Sequence, residues 1–88
     1  MKLLCQVYAS TRKEEMYLYV DKARGLEDVP APLLARFGEP RACMLLTLTP
    51  DKKLARADAR EILAEIEEKG FYLQMPPTMA QLLERDGN

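Results

Sequence analysis

Apolar and polar side chains alternate most clearly in the segment Met16-Tyr17-Leu18-Tyr19-Val20. Because successive side chains of a strand point to opposite faces of a sheet, this pattern predicts a strand whose aliphatic face meets the core. The two tyrosines are expected to pack through their rings and to keep their hydroxyls near water or a partner. The run from Leu3 to Tyr8 predicts a first strand, and the polar segment 9–15 predicts a hairpin between the two.

A different pattern occurs in Arg41–Leu48, where seven of the eight residues are uncharged and polar positions do not alternate with apolar ones. Such a run is typical of a strand that is covered on both faces. We therefore expect this strand to cross the middle of the sheet, with protein layers above and below it.

Two further segments predict helices. A short helix is expected from about Ala31 to Arg36, with Pro32 tolerated in its first turn and Gly38 at its C-terminal end. Its buried face is expected to contain Leu33, Leu34 and Phe37. The segment Lys52–Lys69 predicts the main helix from one apolar stripe, formed by Ala55, Ala59, Ile62, Leu63 and Ile66.

The ends of the main helix carry different signals. Its start is open between Lys52 and Asp58, because Asp58 and Glu61 have the spacing of a capping box. Gly70 marks the C-terminal end. After it, Phe71–Met75 predicts a short last strand that Pro76-Pro77 terminates. A short helix opening at Thr78 is expected to dock Leu82 and Leu83 on the core.

Composition narrows the class of protein. With 88 residues, 48% of them apolar and 31% charged, the chain is expected to form one globular domain over 1–88. Its net charge of −1 creates no overall electrostatic field that would attract the protein to nucleic acid or to an anionic membrane. Neither a signal peptide nor a membrane-length apolar run is recognisable, so we expect a cytoplasmic protein with reduced cysteines.

Residues with catalytic potential are few. The chain has no histidine, the commonest general base and zinc ligand, and its two cysteines, Cys5 and Cys43, are interpreted as small buried hydrophobic residues. Ser10 and Thr11 are typical turn residues. Three glutamates with helical spacing, Glu61, Glu65 and Glu68, are interpreted as a solvated helix face. We predict no enzymatic activity, no cofactor and no metal; an enzyme is the least favoured hypothesis.

Two surfaces are candidates for binding. The first combines aromatic residues with the proline-terminated strand and suits another protein's strand or proline-rich segment. It comprises Tyr17, Tyr19, Tyr72, Gln74, Met75, Pro76 and Pro77. The second is basic and would hold single-stranded RNA if its members converge near the tyrosines. It comprises Arg12, Lys13, Lys52, Lys53, Arg56 and Arg60. A binding or adaptor domain is the leading hypothesis, and an RNA-associated accessory protein is the alternative.

Several short motifs together resemble one bacterial family. They are Tyr17-Leu18-Tyr19-Val20, Val29-Pro30, Phe37-Gly38 followed by Pro40, Leu54-Ala55 with Ala57-Asp58, and Gly70 through Pro77. This succession is similar to that of the YcgL domain family, although Phe71 and Thr78 depart from its usual tyrosine and proline. The resemblance implies a small α/β/α sandwich. From the residue patterns we expect an α/β domain with a three- to four-stranded, mostly antiparallel sheet and helices on both faces. The resemblance implies no particular activity, cofactor or metal. Some members are encoded near ribonuclease D, which gives a weak link to RNA metabolism.

Overall fold

The computed structural model describes residues 2–54, 57–80 and 83. Over these residues the chain forms four strands and two helices, in the order β1 (Leu3–Ala9), β2 (Tyr17–Asp21), α1 (Ala31–Phe37), β3 (Arg41–Leu48), α2 (Ala59–Lys69) and β4 (Phe71–Gln74). The strands make one sheet in the order β3-β1-β2-β4, and every neighbouring pair is antiparallel. The predicted α/β class and antiparallel sheet are confirmed.

One face of the sheet packs on α2. The odd-numbered residues of β1 and the tyrosines of β2 point to this face, where Cys5 and Val7 meet Tyr19. The helix contributes four of the five residues of the predicted stripe, Ala59, Ile62, Leu63 and Ile66, and all four are buried. The fifth, Ala55, lies outside the described residues. Burying four side chains of this kind contributes several kcal/mol at about 25 cal/mol per Å² of apolar surface.

The opposite face packs on α1. Leu18 and Val20 of β2 are fully buried there, together with Phe37 at the end of the helix. Leu33 and Leu34 are half-buried against the same cluster. The predicted sandwich, with a helix on each face of the sheet, is therefore confirmed.

Local signals set the ends of both helices. The side chain of Asp58 accepts a hydrogen bond from the Arg60 N–H, so α2 begins at Ala59 and the later of the predicted starts, with Asp58 as N-cap, is confirmed. At the other end Gly70 has a φ of 95° and donates its N–H to the Ile66 carbonyl. Helix α1 has Pro32 in its first turn and ends at Gly38, as predicted.

The predicted position of Arg41–Leu48 is wrong. This segment is a strand, but β3 lies at the edge of the sheet and pairs only with β1 among the described residues. Residues 41–45 and Thr47 are exposed, whereas Leu48 is fully buried. Absence of charge identified a strand here, but it could not distinguish a covered central strand from an uncovered edge. The middle of the sheet is formed by β1 and β2.

The β1–β2 hairpin is fixed by Ser10. Its N–H donates to the Met16 carbonyl, and its hydroxyl accepts from the N–H groups of Arg12 and Lys13. The same hydroxyl donates to the Phe37 carbonyl at 2.6 Å, which ties the hairpin to the end of α1. Ser10 therefore has the turn role that the sequence predicts, with an additional long-range contact.

The chain after β4 differs from the prediction in two respects. Strand β4 ends at Gln74, one residue earlier than expected, so Met75 lies outside the ladder and is 53% exposed. Residues 79, 80 and 83 are helical, but Leu83 is 63% exposed and does not dock on the core. Leu82 lies outside the described residues.

Candidate functional site

A pocket lies on the α2 face of the sheet, at the end where the β1–β2 hairpin turns. The strand register places Tyr17 opposite Gln74 and Tyr19 opposite Tyr72, so these side chains share one face. The pocket has a volume of about 180 Å³. Its lining consists of Val7, Tyr17, Tyr19, Cys43, Met44 and Gln74. Three residues of the predicted partner surface thus meet at one site.

Tyr19 is the fixed element of this pocket. Its hydroxyl donates a hydrogen bond to Gln74 Oε1 at 2.9 Å, and only 9% of the residue is exposed. Its ring meets the Tyr72 ring edge to face, with centroids 5.7 Å apart and planes at 76°. Such aromatic pairs contribute about 0.5–1.5 kcal/mol beyond area burial. The floor of the pocket is therefore preorganised before any ligand arrives.

Tyr72 lies beside the pocket rather than in its lining. Burial raises the pKa of its hydroxyl, and the nearby carboxylates of Glu61 and Glu65 on α2 raise it further. The group therefore remains a neutral hydroxyl near pH 7, available as donor and acceptor.

The two cysteines have different environments. Cys5 is fully buried, and burial is the main cause that raises the pKa of its thiol to about 11. Cys43 is exposed, which makes its predicted burial wrong. The β1–β3 register slips at this point, with Met44 opposite Val7 and Ala42 opposite Tyr8, so Cys43 is the extra residue of a β-bulge. The bulge turns both Cys43 and Met44 toward the pocket.

The remaining members of the predicted partner surface extend from the pocket along the chain. Met75 is exposed, and Pro76 and Pro77 are half-buried. Sequence reasoning missed Val7, Cys43 and Met44, which complete the pocket. The alternation of side chains along β1 could have identified Val7. The bulge that turns Cys43 and Met44 toward the pocket has no recognisable pattern in the sequence.

The basic residues do not form a single patch. Arg12 and Lys13 lie in the hairpin after Ala9, whereas Lys52 and Lys53 follow Leu48, which pairs with Leu3 at the opposite end of β1. The seven residues of β1 separate these ends by roughly 20 Å. Arg60 is in the first turn of α2, and Arg56 lies outside the described residues.

A second cleft, of about 290 Å³, lies between the turn after β2 and the C-terminal end of α2. Arg24 Nε lies 2.5 Å from Asp28 Oδ2, and this guanidinium lowers the pKa of Asp28. A Cβ on Gly70 would overlap the Asp28 side chain. Arg24 and Asp28 pair with each other, so this contact is suited to holding the turn beside α2.

The described residues contain no group of three or more His, Cys, Asp or Glu side chains placed to hold a metal ion. Neither helix of the described chain has the length and apolar character that a bilayer span requires.

Fold and register together define a small α/β/α sandwich domain with an aromatic pocket on its α2 face. A family model described as "YcgL domain" matches residues 5–77. The chain belongs to the YcgL domain family, which confirms the resemblance seen in the sequence.

Similar curated proteins, each named YcgL domain-containing protein, come from several bacteria. The protein of Chromohalobacter salexigens is 56% identical over 80 residues, which cover 91% of this chain and 83% of that protein. That of Stutzerimonas stutzeri is 51% identical over 84 residues, covering 96% and 87%. That of Cellvibrio japonicus is 49% identical over 77 residues, covering 88% and 79%.

Proposed function

We propose that this domain is a small cytoplasmic binding module that docks an extended segment of another protein and has no enzymatic activity of its own. The observation that carries the proposal is the pocket in which Tyr17 and Tyr19 of β2 meet Gln74 of β4. It combines an apolar lining with a fixed tyrosine hydroxyl and an amide, which is the combination that protein recognition sites use.

The size of the pocket favours a side chain over a free small molecule. Pockets for cofactors and drug-sized ligands have volumes of about 300–1,000 Å³. A cavity of about 150 Å³ accepts a benzene-sized group. At about 180 Å³ this pocket fits a single bulky apolar side chain. The rest of the affinity would then come from contacts outside the pocket.

Those outer contacts are available on both sides of the pocket. Met44, which lines the pocket, is still 53% exposed at its rim, and Met75 is 53% exposed where the chain leaves β4. Methionine side chains adapt to different apolar partners. Pro76 and Pro77 add a rigid apolar rim that loses little entropy on binding. A segment lying from β3 toward Met75 would cover all of these groups.

Single-stranded RNA is the alternative occupant. Its recognition combines base stacking on aromatic rings with a basic groove along the backbone. Tyr17 is close to the hairpin that carries Arg12 and Lys13, but Lys52 and Lys53 lie at the other end of the sheet. This separation favours a protein partner, and nuclease treatment distinguishes the two kinds of occupant.

The test is affinity capture from extracts of the cells that produce the protein, with and without nuclease. Immobilised wild type is compared with Tyr17→Ala, which removes one wall of the pocket. Leu4→Ala is the matched control, because Leu4 is 48% exposed and points to the opposite face. We expect a discrete protein that wild type and Leu4→Ala retain and that Tyr17→Ala loses, unchanged by nuclease.

The dissociation constant of the purified partner, measured for wild type and for Tyr17→Ala, then gives the size of the loss in affinity. Truncating an aromatic anchor at the centre of an interface costs about 2 kcal/mol or more, so Tyr17→Ala should raise Kd by at least roughly 30-fold. Circular dichroism establishes that the variant is folded. Capture that disappears after nuclease treatment would support the RNA alternative. Failure to retain any protein specifically, or equal retention by Tyr17→Ala, would contradict the proposal.

A further inference from the structure

The side-chain amide of Gln74 lines the pocket on the α2 face and keeps its hydrogen-bond donors free. Gln74 Oε1 accepts from the Tyr19 hydroxyl, whereas Nε2 donates to no group among the residues that the structure describes. No buried side-chain nitrogen or oxygen of these residues lacks a partner, so Nε2 is open to solvent. A carboxamide nitrogen carries two N–H donors. The pocket therefore offers both of them to its occupant.

The direction of this amide is set by Tyr19. The tyrosine is only 9% exposed, and its ring packs edge to face on Tyr72. Its hydroxyl lies 2.9 Å from Gln74 Oε1, which turns Nε2 to the other side of the amide. Because the amide is already oriented, little side-chain entropy is lost when a ligand binds to it.

The position of Gln74 suits contact with the main chain of a docked segment. It is the last residue of β4 and lies opposite Tyr17, one residue before the exposed Met75. A segment that runs from β3 toward Met75 passes over this amide. Once the segment covers the pocket, its main-chain carbonyl there loses contact with water and needs a donor. Gln74 Nε2 is placed to supply it.

The charges near Gln74 favour a neutral acceptor over a carboxylate. Tyr72 lies two residues earlier on β4, and the charged groups that raise the pKa of its hydroxyl are all carboxylates, with Glu61 and Glu65 the largest. Arg41 begins β3, which is three strand positions from β4, or about 14 Å. A terminal carboxylate beside Gln74 would therefore meet a negative potential, whereas the carbonyl of an internal residue would not.

We propose that Gln74 determines the specificity of the pocket by donating from Nε2 to the main-chain carbonyl of an internal partner residue, whose bulky apolar side chain fills the cavity. This inference rests on the proposed function and narrows the partner to an uncharged, non-terminal stretch of chain. Tyr19 is the positioning residue, because it acts on the partner through Gln74. The cavity of about 180 Å³ accepts a side chain of the size of leucine.

The test titrates the full chain, labelled with ¹⁵N, with N-acetyl-leucinamide and follows the spectrum by NMR. The probe has an apolar side chain and neutral main-chain groups, and its size predicts a Kd on the order of 1–10 mM. The side-chain N–H groups of Gln74 give their own two peaks, which are identified by their loss in Gln74→Glu. We expect these peaks to shift together with the main-chain peaks of Val7 and Tyr17, along one binding curve.

Variants separate the donor from the rest of the pocket. Gln74→Glu keeps an acceptor for the Tyr19 hydroxyl but removes both donors, so it should raise the Kd about tenfold. Tyr19→Phe keeps the ring and releases the amide, so it should raise the Kd about threefold. Leu4→Ala, on the opposite face, is the matched control and should leave the Kd unchanged. N-acetyl-leucine, which carries a carboxylate, should bind wild type at least about fivefold more weakly than the amide.

Equal affinity of wild type and Gln74→Glu for N-acetyl-leucinamide would overturn the proposal. Tighter binding of N-acetyl-leucine would do the same, because it would indicate a chain terminus, and so would tighter binding of adenosine monophosphate, which would indicate a base. No shift at Val7 and Tyr17 up to roughly 100 mM probe would also overturn it. The proposed function is tested separately: a partner whose capture requires Tyr17 but is unchanged by Gln74→Glu rejects only the role of Gln74.

Discussion

Strands β2 and β3 have similar apolar content but very different surroundings. Leu18 and Val20 of β2 are fully buried, whereas Met44 and Leu45 of β3 are more than half exposed. Strand β2 has a hydrogen-bonded neighbour on each side, whereas β3 has only one among the described residues. The comparison shows that an uncharged strand is buried only where other elements cover it, and composition alone does not place those elements.

The connections of the chain explain why the helices cover β2 and β4 rather than β3. Helix α2 passes into β4 through the single residue Gly70, so it must lie beside that end of the sheet. Helix α1 is held at Phe37 by the Ser10 hydroxyl at the β1–β2 hairpin. Of the far edge, α2 covers Leu48 and part of Leu46, and residues 41–45 stay exposed. Such incomplete cover is expected of a chain whose surface is large relative to its volume.

The largest predicted difference in stability is between alanine variants of two leucines, Leu18 and Leu4. Each lies on an interior strand, and both side chains point to the same face of the sheet. Leu18 is fully buried and Leu4 is 48% exposed. Leu18→Ala should lower the free energy of unfolding by about 2–5 kcal/mol, through lost burial and the cavity left behind. Leu4→Ala should change it by less than about 0.5 kcal/mol. Urea unfolding measures both free energies, and equal losses would contradict the difference in burial between the two leucines.

A smaller effect should follow from adding a methyl group at two glycines with positive φ. Gly70 has a φ of 95°, and a Cβ there would overlap Asp28 in the covered half of the molecule. Gly70→Ala should cost about 2–4 kcal/mol, from backbone strain and overpacking together. Gly25 has a φ of 60° and open space around it, so Gly25→Ala should cost only roughly 1–2 kcal/mol. Thermal unfolding gives the difference, and a smaller loss at position 70 would refute the argument.

The last contrast concerns the two thiols and pH. Cys5 has its pKa raised to about 11 by burial, from 9.0 in the unfolded chain. A raised pKa means that the folded state keeps a proton that the unfolded state has lost, so this contribution is present below pH 9 and disappears as pH rises toward 11. The loss is on the order of 2 kcal/mol. Unfolding curves between pH 8 and pH 11 measure it, with Cys5→Ala as the variant that should lack this component.

Thiol labelling supplies an independent check of the same contrast. Near neutral pH, iodoacetamide should modify exposed Cys43 in the native protein and reach buried Cys5 only after unfolding. One modified thiol before denaturation and two afterwards are the expected counts. Rapid native modification of Cys5 would show that the α2 face of the core opens more readily than its packing indicates.

Local chemistry made several elements predictable. The alternation over 16–20 gave β2 with its correct faces, and Gly38 and Gly70 marked the ends of the helices. The tyrosines and Gln74 were recognisable as one surface because they alternate on strands. Cys43 and Met44 were not, since a bulge in one pairing decides which way they point.

The sequence by itself determined the α/β class, the buried stripe of α2 and the membership of the YcgL domain family, because these depend on residue spacing and identity. Only the tertiary structure decided that β3 is an edge, that the basic residues lie at opposite ends of the sheet, and that six residues from β1, β2, β3 and β4 enclose one pocket. Strand order is a choice among pairings of similar local energy. It is settled by which arrangement lets two short helices bury the most apolar surface, a property of the whole chain that no single segment contains.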